Sequence, residues 1–488
     1  MSRSGERAAF DAALRDHQGG RIDDAIAAYR AILDRDPEIA DVWHLLGVAF
    51  HQKGDPRTAR KLVESAIALD AGIADYHNNL GMILVAMGES EAAERSLRQA
   101  VRLQPTGGKA LANLAGVLRT QGKFDEAFDF AARAVAMVPN DAEAHNNLGN
   151  VLKDMARPED AVAAYGRAIE LRGDFALAHW NRALALLSLG LYADGFAELS
   201  WRWRWGGFPS KPRNYAQPLW DGSDLAGKTI YLYPEQGLGD TIQFVRYAIL
   251  ARERGAQVIV EAPYELAPLL SRTNIADIVT TGGAHAADLK FDCHAPLLDL
   301  PHHFATTLDT VPAPLAYLAA DPSRVGVLRA GTRGTSGLRV GLNWAGNPNS
   351  PVEKFRSLPL DELWPFADLD DIDWICLQKG PGGDMLPRPV GIGLIETGEG
   401  SLGDTAALIS GLDLVVTTDT AVAHLAGALG VPTFVLLHDA PDWRWLLGRD
   451  DSPWYPSMRL FRQGKPGDWG PAIAEAAAAV AKLRQERV

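Results

Sequence analysis

A step of 34 residues recurs through about the first 200 residues, and it constrains the fold more strongly than any other feature of the sequence. Small residues recur where two paired helices would touch, and larger apolar residues recur where they would fill the space between those helices. Prolines at Pro37, Pro105 and Pro139 stand where the second helix of a repeat should end. The step predicts a right-handed solenoid of stacked helix pairs with a concave face. The recurring residues are Trp43, Leu46, Gly47, Ala59 and Ala66, then His77, Leu80, Gly81, Ala93 and Ala100, then Leu111, Leu114, Ala115, Ala127 and Ala134, then His145, Leu148, Gly149, Ala161 and Ala168.

This period and its residues resemble the tetratricopeptide repeat family. An earlier copy contains Ala25, Tyr29 and Pro37, and a later copy begins at His179. The resemblance implies an α-solenoid over residues 6–205, with five full repeats and a degenerate sixth. Residues 206–227, which contain three prolines, are expected to form a linker to the second half of the chain.

Four asparagines also fall 34 residues apart, on the first helix of consecutive repeats, where a helix interior normally disfavours asparagine. Side-chain amides spaced along a groove could each donate and accept a hydrogen bond with an extended peptide, which makes these residues candidate acceptor-binding residues. The alternative is that they bond to the neighbouring repeat. The four are Asn79, Asn113, Asn147 and Asn181.

The bulk composition excludes several classes of protein. A chain of 488 residues exceeds what one hydrophobic core usually supports, so at least two domains are expected. A formal charge of −13 argues against a nucleic acid or an anionic membrane as partner. The two cysteines, Cys293 and Cys376, form neither a disulfide framework nor a zinc-binding spacing, which fits a reducing compartment. Without a signal peptide or an apolar span, the chain is predicted to be cytoplasmic and not inserted in a membrane.

The second half alternates predicted strands with predicted helices, which indicates parallel sheets in two α/β lobes, at residues 228–337 and 338–488. In the first lobe we predict strands at 229–233, 258–261, 278–280 and 288–292, and one amphipathic helix at 241–252. In the second lobe we predict strands beginning at Leu338 and lying at 373–377, 411–416 and 433–437. An alanine-rich closing helix is predicted at 471–484.

Residues 415–437, VVTTDTAVAHLAGALGVPTFVLL, read as a strand, an acidic turn, a helix and a second strand. Ligands of open α/β sheets bind beyond the carboxyl ends of the strands, and a helix N-terminus favours anions. A phosphate site at residues 419–424 is therefore one interpretation. The other is an ordinary βαβ unit in which Asp419 caps the helix and His424 is a packed polar residue.

DTAVAHLAGALGVP, together with GLGD at residues 237–240, resembles the bacterial heptosyltransferases of glycosyltransferase family 9, which have the GT-B fold. The resemblance implies that Asp419, Thr420, Ala421 and His424 hold the diphosphate of a donor, and that Asp240 is the general base. Ala421 replaces the glycine usual in that family, and its methyl group would crowd the approach to phosphate. Without the resemblance, Asp240 would be interpreted as a helix N-cap.

Further donor-binding candidates lie at other strand ends. The loop after the strand at Leu338 carries Lys354 and Arg356, and the resemblance implies that one of them steadies the donor phosphate. Gln378 and Lys379 follow the strand at 373–377, although Lys379 could equally be a solvated loop charge.

Two segments combine tryptophan with arginine, at residues 201–205 (WRWRW) and 442–463. Aromatic faces stack on sugars and arginine pairs with phosphate, so both segments could bind a ligand. The alternative is that their rings pack one domain against another. Acidic pairs at Asp370–Asp371 and Asp450–Asp451 are interpreted as solvated, so no metal site is expected.

The expected protein is a metal-independent, inverting glycosyltransferase of GT-B fold. It would use a nucleotide-sugar co-substrate, no cofactor, and a protein acceptor presented by the solenoid. The architecture is similar to O-GlcNAc transferase and to bacterial flagellin glycosyltransferases, so flagellin is one acceptor that the resemblance suggests. Two alternatives remain: a transferase acting on a lipid-linked or polysaccharide acceptor, and an inactive scaffold protein.

Overall fold

The computed structural model describes residues 3–283, 289–331, 337–347, 353–378, 392, 394–395 and 400–486. The chain separates into two compact units, Met1–Asn181 and Arg182–Val488. None of the described helices is long and apolar enough to cross a membrane.

The first unit is a succession of helix pairs, as the 34-residue step predicts. Small residues are required where the two helices of a pair touch, because a Cβ atom on Gly81 would lie 2.6 Å from Cγ of Leu97. Gly149 is confined in the same way by the ring of Tyr165. Its helices are α1 (Arg3–Gln18), α2 (Ile22–Leu33), α3 (Ala40–Gln52), α4 (Pro56–Leu69), α5 (Ala74–Ala86), α6 (Ser90–Leu103), α7 (Gly108–Thr120), α8 (Phe124–Met137), α9 (Ala142–Asp154), α10 (Pro158–Leu171) and α11 (Ala176–Ser188), the last of which crosses the unit boundary.

The second unit contains two parallel sheets flanked by helices, which confirms the α/β prediction. The strands are β1 (Thr229–Tyr233), β2 (Gln257–Glu261), β3 (Ile278–Thr280), β4 (Cys293–Pro296), β5 (Leu338–Leu342), β6 (Ile372–Cys376), β7 (Leu394–Ile395), β8 (Leu414–Thr418), β9 (Thr433–Leu437) and β10 (Met458–Arg462). The first sheet has the order β3-β2-β1-β4 and the second the order β10-β9-β8-β5-β6-β7.

Helices of unequal length connect these strands, and the helix Gly470–Gln485, predicted at 471–484, packs on the core of the second sheet. Short 3₁₀ helices at Leu199–Arg204 and Trp443–Trp445 belong to the two tryptophan and arginine segments. The α-helices are α12 (Tyr192–Glu198), α13 (Leu238–Phe244), α14 (Tyr247–Glu253), α15 (Ala267–Leu270), α16 (Leu300–His303), α17 (Pro322–Gly331), α18 (Glu353–Arg356), α19 (Trp364–Ala367), α20 (Leu402–Ser410), α21 (Ala421–Ala428) and α22 (Gly470–Gln485).

Two element predictions in the first lobe are wrong. Of the strand predicted at 288–292, residue 288 lies outside the described residues and residues 289–292 do not form a strand; β4 begins instead at Cys293, where four consecutive residues are buried. The carboxylate of Asp292 accepts a hydrogen bond from the backbone N–H of Thr229, the first residue of β1. The single helix predicted at 241–252 is divided into α13 and α14. Arg246 lies at the break, and its Nε donates 2.7 Å to the carbonyl of Gln243, which a continuous helix would use internally.

Candidate functional site

The turn between β8 and α21 lies at the carboxyl end of a fully buried strand. Asp419 leaves the strand, and Thr420 occupies the N-cap position of α21. The Thr420 hydroxyl makes no capping bond and instead donates 3.0 Å to Oδ1 of Asn343, which follows the neighbouring strand β5. Ala421 is the first helical residue and is half-buried. The turn is therefore tied to the exit of β5, and the predicted cap at Asp419 is not the N-cap residue.

Gln378, which follows β6, is hydrogen-bonded to the residues that follow β5. Its Oε1 accepts hydrogen bonds from Nδ2 of Asn343 at 2.9 Å and from the backbone N–H groups of Trp344 and Ala345. Its Nε2 donates back to the carbonyl of Ala345. Since the side-chain amide is occupied by protein groups and is buried, Gln378 holds the turn after β5 in place. Lys379 and the side chain of Lys354 lie outside the described residues.

Arg356 is the described basic residue nearest to the turn. Its Nη2 donates 3.2 Å to Glu353, and its Nη1 lies 3.7 Å from Oδ2 of Asp419. Glu353 in turn accepts from the backbone of Gly346 and from Ser357. Burial raises the pKa of Asp419 to about 6, the charge of Asp442 adds to that increase, and Arg356 opposes it.

His424 projects from α21 towards the first lobe. Its Nδ1 shares a 2.8 Å hydrogen bond with the Tyr455 hydroxyl, and its ring stacks on Trp445 with 5.5 Å between centroids. Burial, with a contribution from Arg444, lowers the pKa of His424 to about 3, so the imidazole is neutral at pH 7. A Cβ atom on Gly239 would lie 2.8 Å from Cδ2 of His424, so the glycine at this position lets α13 approach α21.

Asp240 lies in the first turn of α13, at the third helical position, so it is not the N-cap residue itself. Its Oδ2 accepts 3.1 Å from the N–H of Gly237, the N-cap, and its Oδ1 accepts from Nη2 of Arg444. The carboxyl group also borders a small pocket, partly open to solvent and with a cavity volume of about 10 Å³, that Glu235 and Phe244 help to line. Burial raises the pKa of Asp240, and Arg444 opposes that increase. Asp240 and His424 thus lie on facing helices of the two lobes.

Three of the four ladder asparagines bond to the preceding repeat. Nδ2 of Asn113 donates 2.9 Å to Asn78, and Nδ2 of Asn181 donates 3.0 Å to Asn146. Asn79 pairs in the same way with Nε2 of His44 at 2.7 Å. For Asn147 the equivalent position of the preceding repeat is Ala112, whose side chain cannot accept a hydrogen bond. Among the described residues, Asn147 is therefore the one of the four without a side-chain hydrogen bond to the preceding repeat, and its side chain is half-buried.

The comparisons with known proteins agree with this division of the chain. Residues 10–75, 78–142 and 146–199 match a tetratricopeptide repeat model. The amino-terminal part is a tetratricopeptide-repeat array. Residues 397–463 match glycosyltransferase family 9 (heptosyltransferase), and this stretch contains the β8–α21 turn. The two matches together support glycosyltransferase activity.

Among curated proteins, Protein FlbA of Caulobacter vibrioides is 30% identical over 329 residues, which are 61% of this chain and 54% of FlbA. The match thus covers about half the length of that relative. Solved structures similar to the repeats include the MamA protein, at 23% identity, covering 35% of this chain and 93% of MamA, with a TM-score of 0.30. PilF of Pseudomonas aeruginosa is 21% identical, covering 41% of this chain and 90% of PilF, with a TM-score of 0.37.

Sequence reasoning missed the ionic partners of the site. Arg444 stands in the second tryptophan and arginine segment, and no local pattern pairs it with an aspartate 204 positions away. Arg202 of the WRWRW segment is fully buried and binds Glu235 at 2.6 Å and Asp299 at 2.7 Å. Burial raises the pKa of Glu235 to about 7, although Arg202 opposes the increase. In both cases the sequence signal for a buried arginine was its alternation with tryptophan, because a buried guanidinium needs aromatic faces and carboxylates around it.

The second tryptophan and arginine segment also makes packing contacts within the second unit. The Trp454 indole donates 3.0 Å to the hydroxyl of Tyr192 on α12, and the rings of Trp443 and Phe196 meet edge to face at 5.7 Å. Residues 442–455 therefore connect α12, the Asp240 carboxylate and the ring of His424.

Proposed function

We propose that this protein is a glycosyltransferase of GT-B type that moves a sugar from a nucleotide-sugar donor to a hydroxyl group of a protein acceptor. The observation that carries the proposal is the packing of α13, which bears Asp240, against His424 of α21. A helix with a carboxylate in its first turn thus faces, across the two lobes, a helix whose N-terminus favours anions, and α21 lies inside the stretch that matches family 9.

In the proposed reaction, the acceptor oxygen attacks the anomeric carbon of the donor sugar as the bond from that carbon to the diphosphate oxygen breaks. Asp240 takes the proton of the attacking hydroxyl, and the nucleotide diphosphate leaves with the electron pair. This single displacement inverts the anomeric configuration. No metal or cofactor takes part in the proposed reaction.

The leaving diphosphate would be stabilised by the free N–H groups at the start of α21, by Thr420 and by the guanidinium of Arg356. Lys354 is proposed as a second cation there. His424 is neutral at pH 7, so it would contribute a hydrogen bond and shape and would carry no positive charge. Asp419 would orient Arg356.

A protein acceptor is proposed because a tetratricopeptide-repeat array precedes the transferase part in the same chain. Flagellin remains the acceptor to try first, and Asn147 is the ladder residue whose amide is available to it. The proposed location is the cytoplasm, where nucleotide sugars are made.

The test uses purified protein, a panel of nucleotide sugars and the Asp240→Asn variant. The matching donor should raise the melting temperature of both proteins, because a ligand that binds only the folded state stabilises it. Transfer to acceptor protein, followed by mass spectrometry, should fall by about 10² to 10⁴ in the variant, since an amide cannot take up the proton.

Asp309→Asn, the same chemical change at an exposed aspartate of the first lobe, is the matched control and should transfer at the wild-type rate. The proposal would be contradicted if no nucleotide sugar of the panel changed the melting temperature and no sugar were added to any acceptor. Transfer by Asp240→Asn at more than about a third of the wild-type rate, well above the range expected for a lost base, would remove Asp240 from the mechanism.

A further inference from the structure

Arg444 makes a distinct bond with each nitrogen of its guanidinium group. Its Nε donates 2.6 Å to Oε1 of Gln243, its Nη1 donates 2.8 Å to Asp442, and its Nη2 donates to Oδ1 of Asp240. Gln243 and Asp240 stand on α13 of the first lobe, whereas Asp442 and Arg444 belong to the second. The guanidinium group therefore joins the two lobes at the proposed base.

Aromatic rings fix the position of this guanidinium group. It lies 4.5 Å from the centroid of Trp443 and 5.6 Å from that of Phe244. Trp443 itself is 5% exposed and packs edge to face against Tyr192 and Phe196 of α12. An arginine confined by rings and by three polar partners has little rotamer freedom left, so its direction towards Asp240 is fixed before a substrate arrives.

We propose that Arg444 is a positioning residue for Asp240, which aims one carboxylate oxygen and keeps the group ionised for proton uptake. This inference rests on the proposed function. Arg444 is not assigned to the donor phosphates, because all three of its nitrogens are bonded to protein oxygens and its side chain is only 11% exposed.

The two oxygens of Asp240 have different neighbours. Oδ2 accepts from the backbone of Gly237 and Oδ1 accepts from Arg444, so the carboxylate plane is held at two points. Each oxygen has a second lone pair for proton uptake, and the carboxyl group borders the pocket beside Phe244. Loss of one of the two points would let the carboxylate turn, and a base displaced by about 1 Å can lose about 10² in rate.

The charges around Asp240 decide the direction of the effect. Arg444 is the main group that lowers its pKa, while burial and Asp442 raise it. His424, across the helix contact at Gly239, is neutral, and Glu235 in the same pocket is held by Arg202. Removal of the Arg444 charge therefore leaves burial and Asp442, which favour protonated Asp240, opposed chiefly by the backbone hydrogen bond from Gly237, so the pKa of Asp240 should rise.

The first experiment compares the pH dependence of kcat/KM for wild type, Arg444→Gln and Arg444→Lys. We expect Arg444→Gln to lose about 10² in kcat and to move the acidic limb of the profile up by about 1 to 3 pH units. Arg444→Lys keeps the charge but cannot form the three-way fork, so its acidic limb should stay near wild type while kcat remains lowered.

Arg449→Gln is the matched control, because Arg449 bonds Asp451 at the surface and makes no contact with Asp240. Its rate and pH profile should equal those of the wild type. An acidic limb that stays at the wild-type pH in Arg444→Gln would overturn the inference.

A second experiment needs no enzyme activity and uses thermal unfolding at pH 8 without donor. Asp240→Asn should lower the melting temperature of the wild type, because it removes the ion pair. The same change should raise the melting temperature of Arg444→Gln, because it removes an unpaired, partly buried carboxylate. Arg444→Met, which keeps an apolar chain against Trp443 but no charge, serves as the background if Arg444→Gln does not fold, and there too Asp240→Asn should raise the melting temperature.

The two experiments separate the two hypotheses. Additive changes in melting temperature would refute the Arg444 inference even in a protein that transfers sugar. Coupled changes in a protein that transfers no sugar would leave the Asp240–Arg444 pairing in place and refute the proposed function.

Discussion

Asp419 is a carboxyl group buried at the exit of β8, and its folded pKa of about 6 lies above the ordinary 3.8. A group whose pKa is raised in the folded state contributes stability below its unfolded pKa, and that contribution is lost as the pH rises through the folded pKa. At pH 8 the raised pKa of Asp419 therefore lowers the free energy of unfolding by up to about 3 kcal/mol, relative to a carboxyl group with the ordinary pKa. Carboxyl groups with strongly raised pKa values cluster at functional sites, and the Asp419 carboxylate lies 3.7 Å from Nη1 of Arg356.

The Asp419→Asn change tests this assignment. The variant has no carboxylate to ionise, so its melting temperature should exceed that of the wild type at pH 8 by several degrees and match it near pH 4. The pKa of His424 is lowered to about 3 in the folded state, so its contribution to stability is lost as the pH falls below about 6.5. Both proteins contain His424, so this loss cancels in the comparison. A difference in melting temperature that is the same at both pH values would contradict the assignment.

At the scale of residues, the sequence predicts the groups that stand in local motifs and misses their long-range partners. Thr420 and His424 could be singled out because they stand in a strand–turn–helix motif, and Asp240 because its GLGD turn resembles that of family 9. Arg444 could not be assigned to Asp240, because that pairing depends on how two lobes meet and leaves no spacing to recognise. Tests of catalysis should therefore begin with such partners as well as with the motifs.

At the scale of elements, the asparagine ladder is chiefly a set of bonds between repeats, with one exception. Asn113 bonds Asn78 of the preceding repeat, whereas Asn147 has Ala112 at the corresponding position. Both are half-buried on the first helix of their repeats, α7 and α9. The chain thus supplies a matched pair of residues with and without the inter-repeat bond.

Alanine substitution at these two positions should separate stability from binding. Asn113→Ala should lower the free energy of unfolding by about 0.5 to 1.5 kcal/mol, the usual contribution of one hydrogen bond. Asn147→Ala should leave it unchanged and slow transfer to a protein acceptor more than donor hydrolysis. Denaturant unfolding and the two rates measure this, and equal losses of stability in both variants would show that Asn147 too is structural.

Apolar runs predict most strands of the second unit, because a strand of a parallel sheet buries both faces. β1 and β9 have the predicted bounds, and β8 overlaps the strand predicted at 411–416. β3 also lies where predicted, but it is an edge strand and its Ile278 is 43% exposed. β10 was missed, since its residues stand in a segment that aromatic and basic side chains dominate. The break between α13 and α14 was missed because Arg246 turns inward, and its bond to the backbone of Trp454 is not visible in the periodicity.

At the scale of the whole molecule, the unit boundary is displaced from the end of the repeat pattern. The repeat match continues to residue 199, yet residues from Arg182 group with the α/β half. Hydrophobic periodicity could not show this, because the repeat pattern is the same whichever unit a helix packs on. The decisive contacts are those of Tyr192 with Trp454 and of Arg202 with Glu235.

Two truncated chains test where the catalytic unit begins. Residues 176–488 retain α11, α12 and Arg202, whereas residues 206–488 begin at the predicted linker and lose all three. The shorter chain leaves Glu235 buried without its guanidinium partner, and removal of one member of a buried ion pair costs about 3 to 5 kcal/mol. It should therefore melt well below the longer chain or fail to fold.

Glu235→Gln provides the control, because it removes the charge and keeps the shape of the side chain. In residues 206–488 it should raise the melting temperature or restore folding, since no unpaired carboxylate remains. In residues 176–488 it should lower the melting temperature, since Arg202 then loses one of its two carboxylate partners. If Glu235→Gln shifted the melting temperature in the same direction in both chains, the Arg202–Glu235 pair would not decide where this unit begins. If the two unsubstituted chains melted at the same temperature, the unit would begin at the linker.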